Sequence, residues 1–246
     1  MGTKLFSTWE GDLLTERTYS ESLSGLWKDR APEPVKKLSL AVKISVMTGK
    51  LVEIPAINTN TLTNEFCQKM HASSPQCICW DCYSYAMLEG SRKNCQPAWQ
   101  LNSEILSGGL LGYPLPRFNS LYVRFDGHGE LINDTHFINY LQIAEYSPKT
   151  TFSLFTKRKD IVKRVLDSNP LDYHDGPKPK NLILVYSNPF VERITDKIPY
   201  YFDKVFNTTT EKSTRDNCTG RKCIECLACY QFDGNSVLIE QKKKRA

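Results

Sequence analysis

Three apolar runs rich in β-branched and aromatic residues lie about thirty residues apart in the middle of the chain: LYVRF at 121–125, TFSLF at 151–155 and NLILVYS at 181–187. Each has the length and composition of a buried strand. Between the first two, Phe137, Tyr140, Leu141 and Ala144 recur at helical spacing. Between the last two, Ile161, Val162, Val165 and Leu166 do the same. The alternation predicts strand, helix, strand, helix, strand, with parallel strands joined by right-handed crossovers. Asp134 is placed to cap the first helix, where its carboxylate can take free backbone N–H groups.

The flanks are less regular. Residues 1–36 are polar and mixed, with Pro32 and Pro34 near their end. LSLAVKISVM at 38–47 reads as a strand, and TGK turns it into LVEIPAI, its hairpin partner or its continuation. Residues 61–82 read as a cysteine-bearing loop. Tyr83–Leu106 is helical in pattern and is divided by Gly90 and Pro97; Gly108, Gly109, Pro114 and Pro116 then open a loop. Residues 190–206 suit one helix and a strand, and Val237–Ile239 a last short strand. The fold class expected is α/β, as a partial (βα) barrel or an open parallel sheet with cysteine-rich cluster-binding loops. Three parts follow: an N-terminal extension with a β-hairpin (1–60), a βα-repeat core (61–210), and a C-terminal cysteine-rich segment with a basic tail (211–246).

Composition narrows the setting. Of 246 residues, 40% are hydrophobic and 24% charged, as in folded globular chains. No apolar run approaches the roughly 18 residues a membrane span needs. The N-terminus lacks a signal core, and Phe6 stands where a myristoylation signal wants Ser or Thr. A cytoplasm is the expected location. There, 9 cysteines, an odd number, argue for metal or cluster ligation over disulfides. The net charge of +5 comes mostly from Lys242, Lys243, Lys244 and Arg245. That tail reads as solvated more readily than as a nucleic-acid contact.

NCTGRKCIECLACY places Cys218, Cys223, Cys226 and Cys229 within twelve residues, spaced C-x4-C-x2-C-x2-C. The first three match the plant-ferredoxin spacing and the repeats resemble the bacterial cluster run. Tetrahedral zinc, the simpler alternative, normally uses two cysteine pairs set apart by a longer spacer. An iron–sulfur cluster, [4Fe-4S] in type, is therefore preferred to zinc, and zinc to free or redox thiols. A second group, Cys67, Cys77, Cys79 and Cys82, precedes a helix and has Cys95 a short way beyond it. Three thiolates on a loop entering a helix suit a cluster with one open iron, although C-x-C-x2-C is not the C-x3-C-x2-C of radical-SAM enzymes.

Taken together, SPQC and CYSYAMLEG, the SRKN and NSEIL helix, the VRFDGHGEL strand and turn, and the closing CIECLACY resemble the bacteriophage gene-product-88 domain family. That family is similar to radical-SAM-like barrel proteins with cysteine-rich ends. The resemblance covers roughly residues 60–232, and its most specific pieces are Cys82–Tyr83 and Cys223–Tyr230. It implies a phage iron–sulfur protein in which Cys67, Cys77 and Cys82 are the recurring amino-terminal cysteines and Cys79 and Cys95 are additions. It supplies no reaction. S-adenosylmethionine comes with the resemblance, although no glycine-rich methionine-binding motif stands out.

Ligands of a βα core collect at the carboxyl ends of its parallel strands. Those ends carry Asp126, Gly127, His128 and Gly129; Thr156, Lys157 and Arg158; and Ser187 and Asn188. The flanking glycines let His128 project into the mouth, to ligate metal or shuttle protons, or leave it solvated on a surface turn. Asp126, His128 and Lys157 are the candidate cofactor-binding residues. Lys157 and Arg158 suit an anion or a negatively charged cluster, or the exposed start of a helix. Arg124, charged within a strand, must snorkel, face a polar interior, or pair with Asp126 or Glu130. Three functions compete: a redox or radical-SAM-like enzyme, with an electron donor as partner; a non-enzymatic iron–sulfur protein; and a zinc-stapled, nucleic-acid-associated module. The last is weakest, because no basic surface interleaved with aromatics is present. Oligomeric state, substrate and cluster number stay open.

Overall fold

The computed structural model describes residues 42–173, 176–218, 220–232 and 235–242. The strand expected to begin at 38, the polar stretch 1–36 and the basic residues 243–245 fall partly or wholly outside them. Strand β1 (Ile44–Ser45) pairs antiparallel with β2 (Ala56–Ile57), which fulfils the hairpin. From there every pairing is parallel: β2 with β3 (Tyr122–Phe125), then β4 (Thr151–Thr156), β5 (Leu182–Val191), β6 (Lys204–Thr209) and β7 (Val237–Gln241). Seven strands thus follow one another across one sheet in chain order, and the sheet does not close into a barrel. Strands β1, β2 and β7 belong to this one sheet together with β3 to β6.

Six helices decorate the sheet: α1 (Glu65–His71), α2 (Tyr83–Glu89), α3 (Gln96–Gly108), α4 (Asp134–Tyr146), α5 (Lys159–Ser168) and the single turn α6 (Cys223–Cys226). Strand residues alternate between faces. Val123, Phe125, Phe152, Leu154, Leu182 and Leu184 pack under α3, α4 and α5 with Leu106, Phe137, Leu141, Ile161 and Val165. Ile183, Val185 and Leu238 belong to a separate cluster on the other face, with Phe155, Phe206, Ala228 and Cys229 packed on it. Parallel strands in unbroken order return by crossovers of one hand, so the long helices share one face. The opposite face is left for the cysteine segments.

Several expectations change in detail. Residues 61–82 hold α1, whose N-cap Asn64 accepts from the N–H groups of Phe66 and Cys67. Helix α4 is capped by Asn133, accepting from His136 N–H, rather than by Asp134, which pairs with Arg164. No helix forms among 190–203. Asn139 ties α4 to the end of α3: its amide donates to the Leu106 and Gly109 carbonyls at 2.8 Å and accepts from Leu111 N–H at 2.9 Å. These are the backbone groups a helix terminus leaves unpaired. Asn139→Leu keeps the volume and strands three buried partners, so urea unfolding is expected to show a loss of about 3 kcal/mol. A loss within experimental scatter would mean that water replaces the amide.

Candidate metal centre and cavity

The strand ends carry a turn joined closely to residues 58–61. Asp126 takes φ 47°, and Gly129 takes φ 111°. A Cβ on Gly129 would lie 2.0 Å from Thr59 Oγ1, so only glycine fits there. Asn58 Oδ1 accepts from His128 N–H, and Thr59 Oγ1 donates to Asp126 Oδ1 at 2.7 Å. Over this turn lies the amino-terminal cysteine segment. Residues 76–78 extend the end of β5 as an antiparallel bridge, Ile78 N–H donating to the Pro189 carbonyl and Val191 N–H to that of Gln76. His71 Nδ1 lies 2.9 Å from the Cys79 carbonyl, and Tyr83 donates to the Gly127 carbonyl at 2.6 Å. Lys242, the first residue of the basic tail, is anchored on Asp81 at 2.9 Å instead of being free in solvent.

Between segment and sheet is a cavity of about 400 Å³ whose walls include Cys67, Cys79, Cys82, Arg124, Asp126 and Lys157. Two segments thus bring three thiols to the same space as two of the candidate cofactor-binding residues, Asp126 and Lys157. Cys77 is buried and does not line it; Cys79 N–H points back to Cys77 Sγ at 3.4 Å. The family resemblance ranks these two residues the other way round. A hydrogen bond from Cys79 lowers the Cys77 thiol to about 5, while that bond and burial push Cys79 up. Burial also pushes Cys67 up. Cys95 lies at the start of α3 and does not line the cavity.

Lys157 is the cation of this space. Its side chain is 18% exposed, its nearest carboxylate oxygen, on Glu130, is 4.0 Å away, and no hydrogen bond to its ammonium forms among the described residues. Burial alone would lower it; Cys79, Glu130, Cys67 and Cys82 outweigh burial and hold it above the ordinary lysine range. Glu130 is otherwise committed, accepting from Thr156, Leu131 N–H and Lys157 N–H. Asp126 Oδ2 has no hydrogen-bond partner and lies 3.9 Å from His136 Nε2, which also has none. Burial raises the Asp126 carboxyl well above its usual range and lowers His136 to about 3.

Two expectations are corrected. His128 turns away from the mouth: its imidazole bonds Ser84 at 2.9 Å and packs against Trp99 at 4.6 Å and Tyr83 at 5.2 Å. Burial and the charge of Arg92 lower it to about 3, which removes it as a proton shuttle near neutrality. The reason is Asn58, which holds the turn by the His128 backbone and leaves the ring to fill the space beneath α2. Arg158 also points elsewhere, to the Leu131 and Ile132 carbonyls and to Asp160. It borders a larger polar cleft of about 680 Å³ that contains no cysteine.

The second cysteine group lies on the same open face. Asn217 clamps Val237 and Ile239 of β7, and Cys218 runs beside Glu240. The turn α6 sets Cys223 and Cys226 on one side, and Leu227 at φ 53° turns the chain so that Cys229 meets the sheet. Cys218, Cys223, Cys226 and Cys229 line a cavity of only about 30 Å³. Burial pushes Cys229 up to about 12. Arg124 lies between the groups: it lines the larger cavity and its charge acts on Cys223 and Cys229. All nine cysteines are unpaired thiols. Among the described residues no three His, Cys, Asp or Glu side chains converge as a single metal ion requires. No described helix is long and apolar enough to cross a membrane. No family model, curated protein or solved structure matches the chain.

Proposed function

We propose that the chain binds an iron–sulfur cluster through Cys67, Cys79 and Cys82 and uses it for redox or radical chemistry on a molecule held in the adjoining cavity. The observation that carries this reading is Lys157: a largely buried ammonium with no hydrogen bond, set among three thiols from two segments. Its ion-pair partner Glu130 is 4.0 Å away and shared with three other donors, and a largely buried charge held so loosely is costly. Three thiolates and a cluster of net negative charge would compensate it, and the cation would raise the cluster's potential. The donor set suits a cluster better than zinc. Zinc draws four ligands to about 2.3 Å of one point, whereas a cluster distributes its ligands over several irons, which suits three thiols set around one cavity.

Three cysteines leave one iron without a protein ligand, and when bound the cluster supplies a one-electron donor beside the cavity. The chain's own part is to hold the thiols on a segment anchored by residues 76–78, His71 and Tyr83, and to wall the space with Lys157 and Asp126. A different role suits Cys218, Cys223, Cys226 and Cys229. Their small, closed cavity favours a cluster with a structural role, which fastens the C-terminal segment across the sheet. The similarity to the gene-product-88 domain family, action in a host cytoplasm and an external electron donor belong to the same proposal.

Anaerobic purification followed by iron, acid-labile sulfide and zinc analysis tests it. Brown protein with matching iron and sulfide is expected. Folded, colourless protein with stoichiometric zinc at the amino-terminal group, or with neither metal, would overturn the reading.

A further inference from the structure

Arg124 stands in the middle of the sheet, paired with Ala56 on one side and Ser153 on the other. Its neighbours Val123 and Phe125 point under the helices, so its own side chain lies on the cavity face. There the guanidinium carbon sits 3.4 Å from the centre of the Phe155 ring. A guanidinium stacked on an aromatic face keeps its N–H groups in plane and available at its edge. Arg124 Nε is out of water and has no hydrogen-bond partner. No carboxylate pairs with it among the described residues. The four acids on the cavity are engaged elsewhere, Asp126 with Thr59, Glu130 with Thr156 and Lys157, Glu240 with Lys50 and Asp81 with Lys242. The chain holds a half-buried, forked cation on the cavity wall, with no ion pair to it among the described residues.

We propose that the cavity binds a small molecule through a carboxylate or phosphate group seated on the Arg124 guanidinium. The fork geometry matches such oxyanions, which accept two parallel N–H bonds. The cavity volume, about 400 Å³, falls in the range of small-molecule sites. Arg124 lies on the floor and the three cysteines lie above, so the bound molecule spans from its anionic end toward the thiols. Ser187 and Thr208, on the two strands beyond β4, line the same space and supply hydroxyls to the remainder of the molecule. This inference needs only the cavity and Arg124, and stands whether or not the thiols carry a cluster.

The full chain, titrated calorimetrically with succinate and separately with inorganic phosphate against a chloride control of equal ionic strength, tests it. Saturable binding of at least one probe is expected, and the probe that binds identifies the oxyanion class. Arg124→Gln should weaken it about tenfold or more. Arg124→Lys, which keeps charge without the fork, should recover only part of it. Wild-type protein freed of iron by a chelator should retain it. Should the arginine variants fail to fold, phenylglyoxal labelling of the wild-type chain gives an independent reading, with the binding probe expected to protect Arg124 in peptide mapping. Neither probe binding above the chloride control would overturn the proposal, as would full wild-type affinity in folded Arg124→Gln. Loss of iron in that variant with anion binding intact would do so too, by making Arg124 the counter-charge of a cluster.

Discussion

Replacing Cys79 and Cys82 together with serine is expected to strip metal from the amino-terminal group and leave the fold at wild-type stability. Replacing Cys223 and Cys226 is expected to cost on the order of 3 kcal/mol or more, since metal binding at such a site is folding free energy. The difference lies in what else holds each segment. Residues 71–83 are held by the bridge to β5, the His71 and Tyr83 contacts, and the Lys242–Asp81 pair. None of these uses a thiol side chain. The carboxyl-terminal segment sets Ala228 and Cys229 against Ile183, Val185 and Leu238, and Tyr230 against Tyr122. That is little apolar surface with which to offset the entropy of ordering a polar loop. Metal analysis and urea unfolding on both double variants, with limited proteolysis across 205–235, check the contrast. Equal destabilisation by the two pairs would show that both groups are staples and would remove the argument for an open site over the strand ends.

The second large effect is on acid stability. His128 is held near 3 against an ordinary 6.5, by burial first and the Arg92 charge second. Between those values the unfolded chain binds a proton that the native chain does not, so stability falls as pH drops below 6.5. At pH 5 the loss amounts to about 2 kcal/mol relative to pH 8. His136, lowered to about 3 by burial alone, adds roughly the same. Asp126 acts in the opposite sense. Its carboxyl is raised, so the native chain takes up that proton first and gains stability as pH falls. Wild-type unfolding therefore reports a difference of opposing terms, and the informative quantity is the gap between wild type and His128→Phe. Phenylalanine keeps the packing against Trp99 and Tyr83 and cannot titrate. The variant should gain about 2 kcal/mol on wild type between pH 8 and pH 5 in urea unfolding. An unchanged gap would mean that the ring is hydrated in the native chain.

The middle of the fold is written locally. Strands buried on both faces must be apolar along their whole length, and helices lying on them must repeat every 3.6 residues, so 121–187 spells out β3, α4, β4, α5 and β5 without reference to distant residues. The grouping of the cysteines into two stretches is also plain in the sequence. Their arrangement is not. Sequence similarity ranks Cys77 above Cys79, yet the bridge to Phe190 turns Cys77 inward and leaves Cys79 on the cavity. Spacing puts His128 in the mouth, yet Asn58, seventy positions earlier, takes its backbone and turns the ring away. Arg124 carries no motif, and its meaning rests on Asp126 and Glu130 having been claimed by Thr59 and Thr156.

Local pattern thus determined which segments are strand or helix and which residues can ligate metal, since backbone period and side-chain chemistry act over a few positions. Which thiols share a space, which cation lacks a counter-charge and which face stays open were decided by the tertiary structure alone. Those properties depend on contacts such as Lys50 with Glu240 and Lys242 with Asp81, between residues that only the completed sheet brings together. Burial and hydrogen-bond competition there select among partners that the sequence leaves equally available.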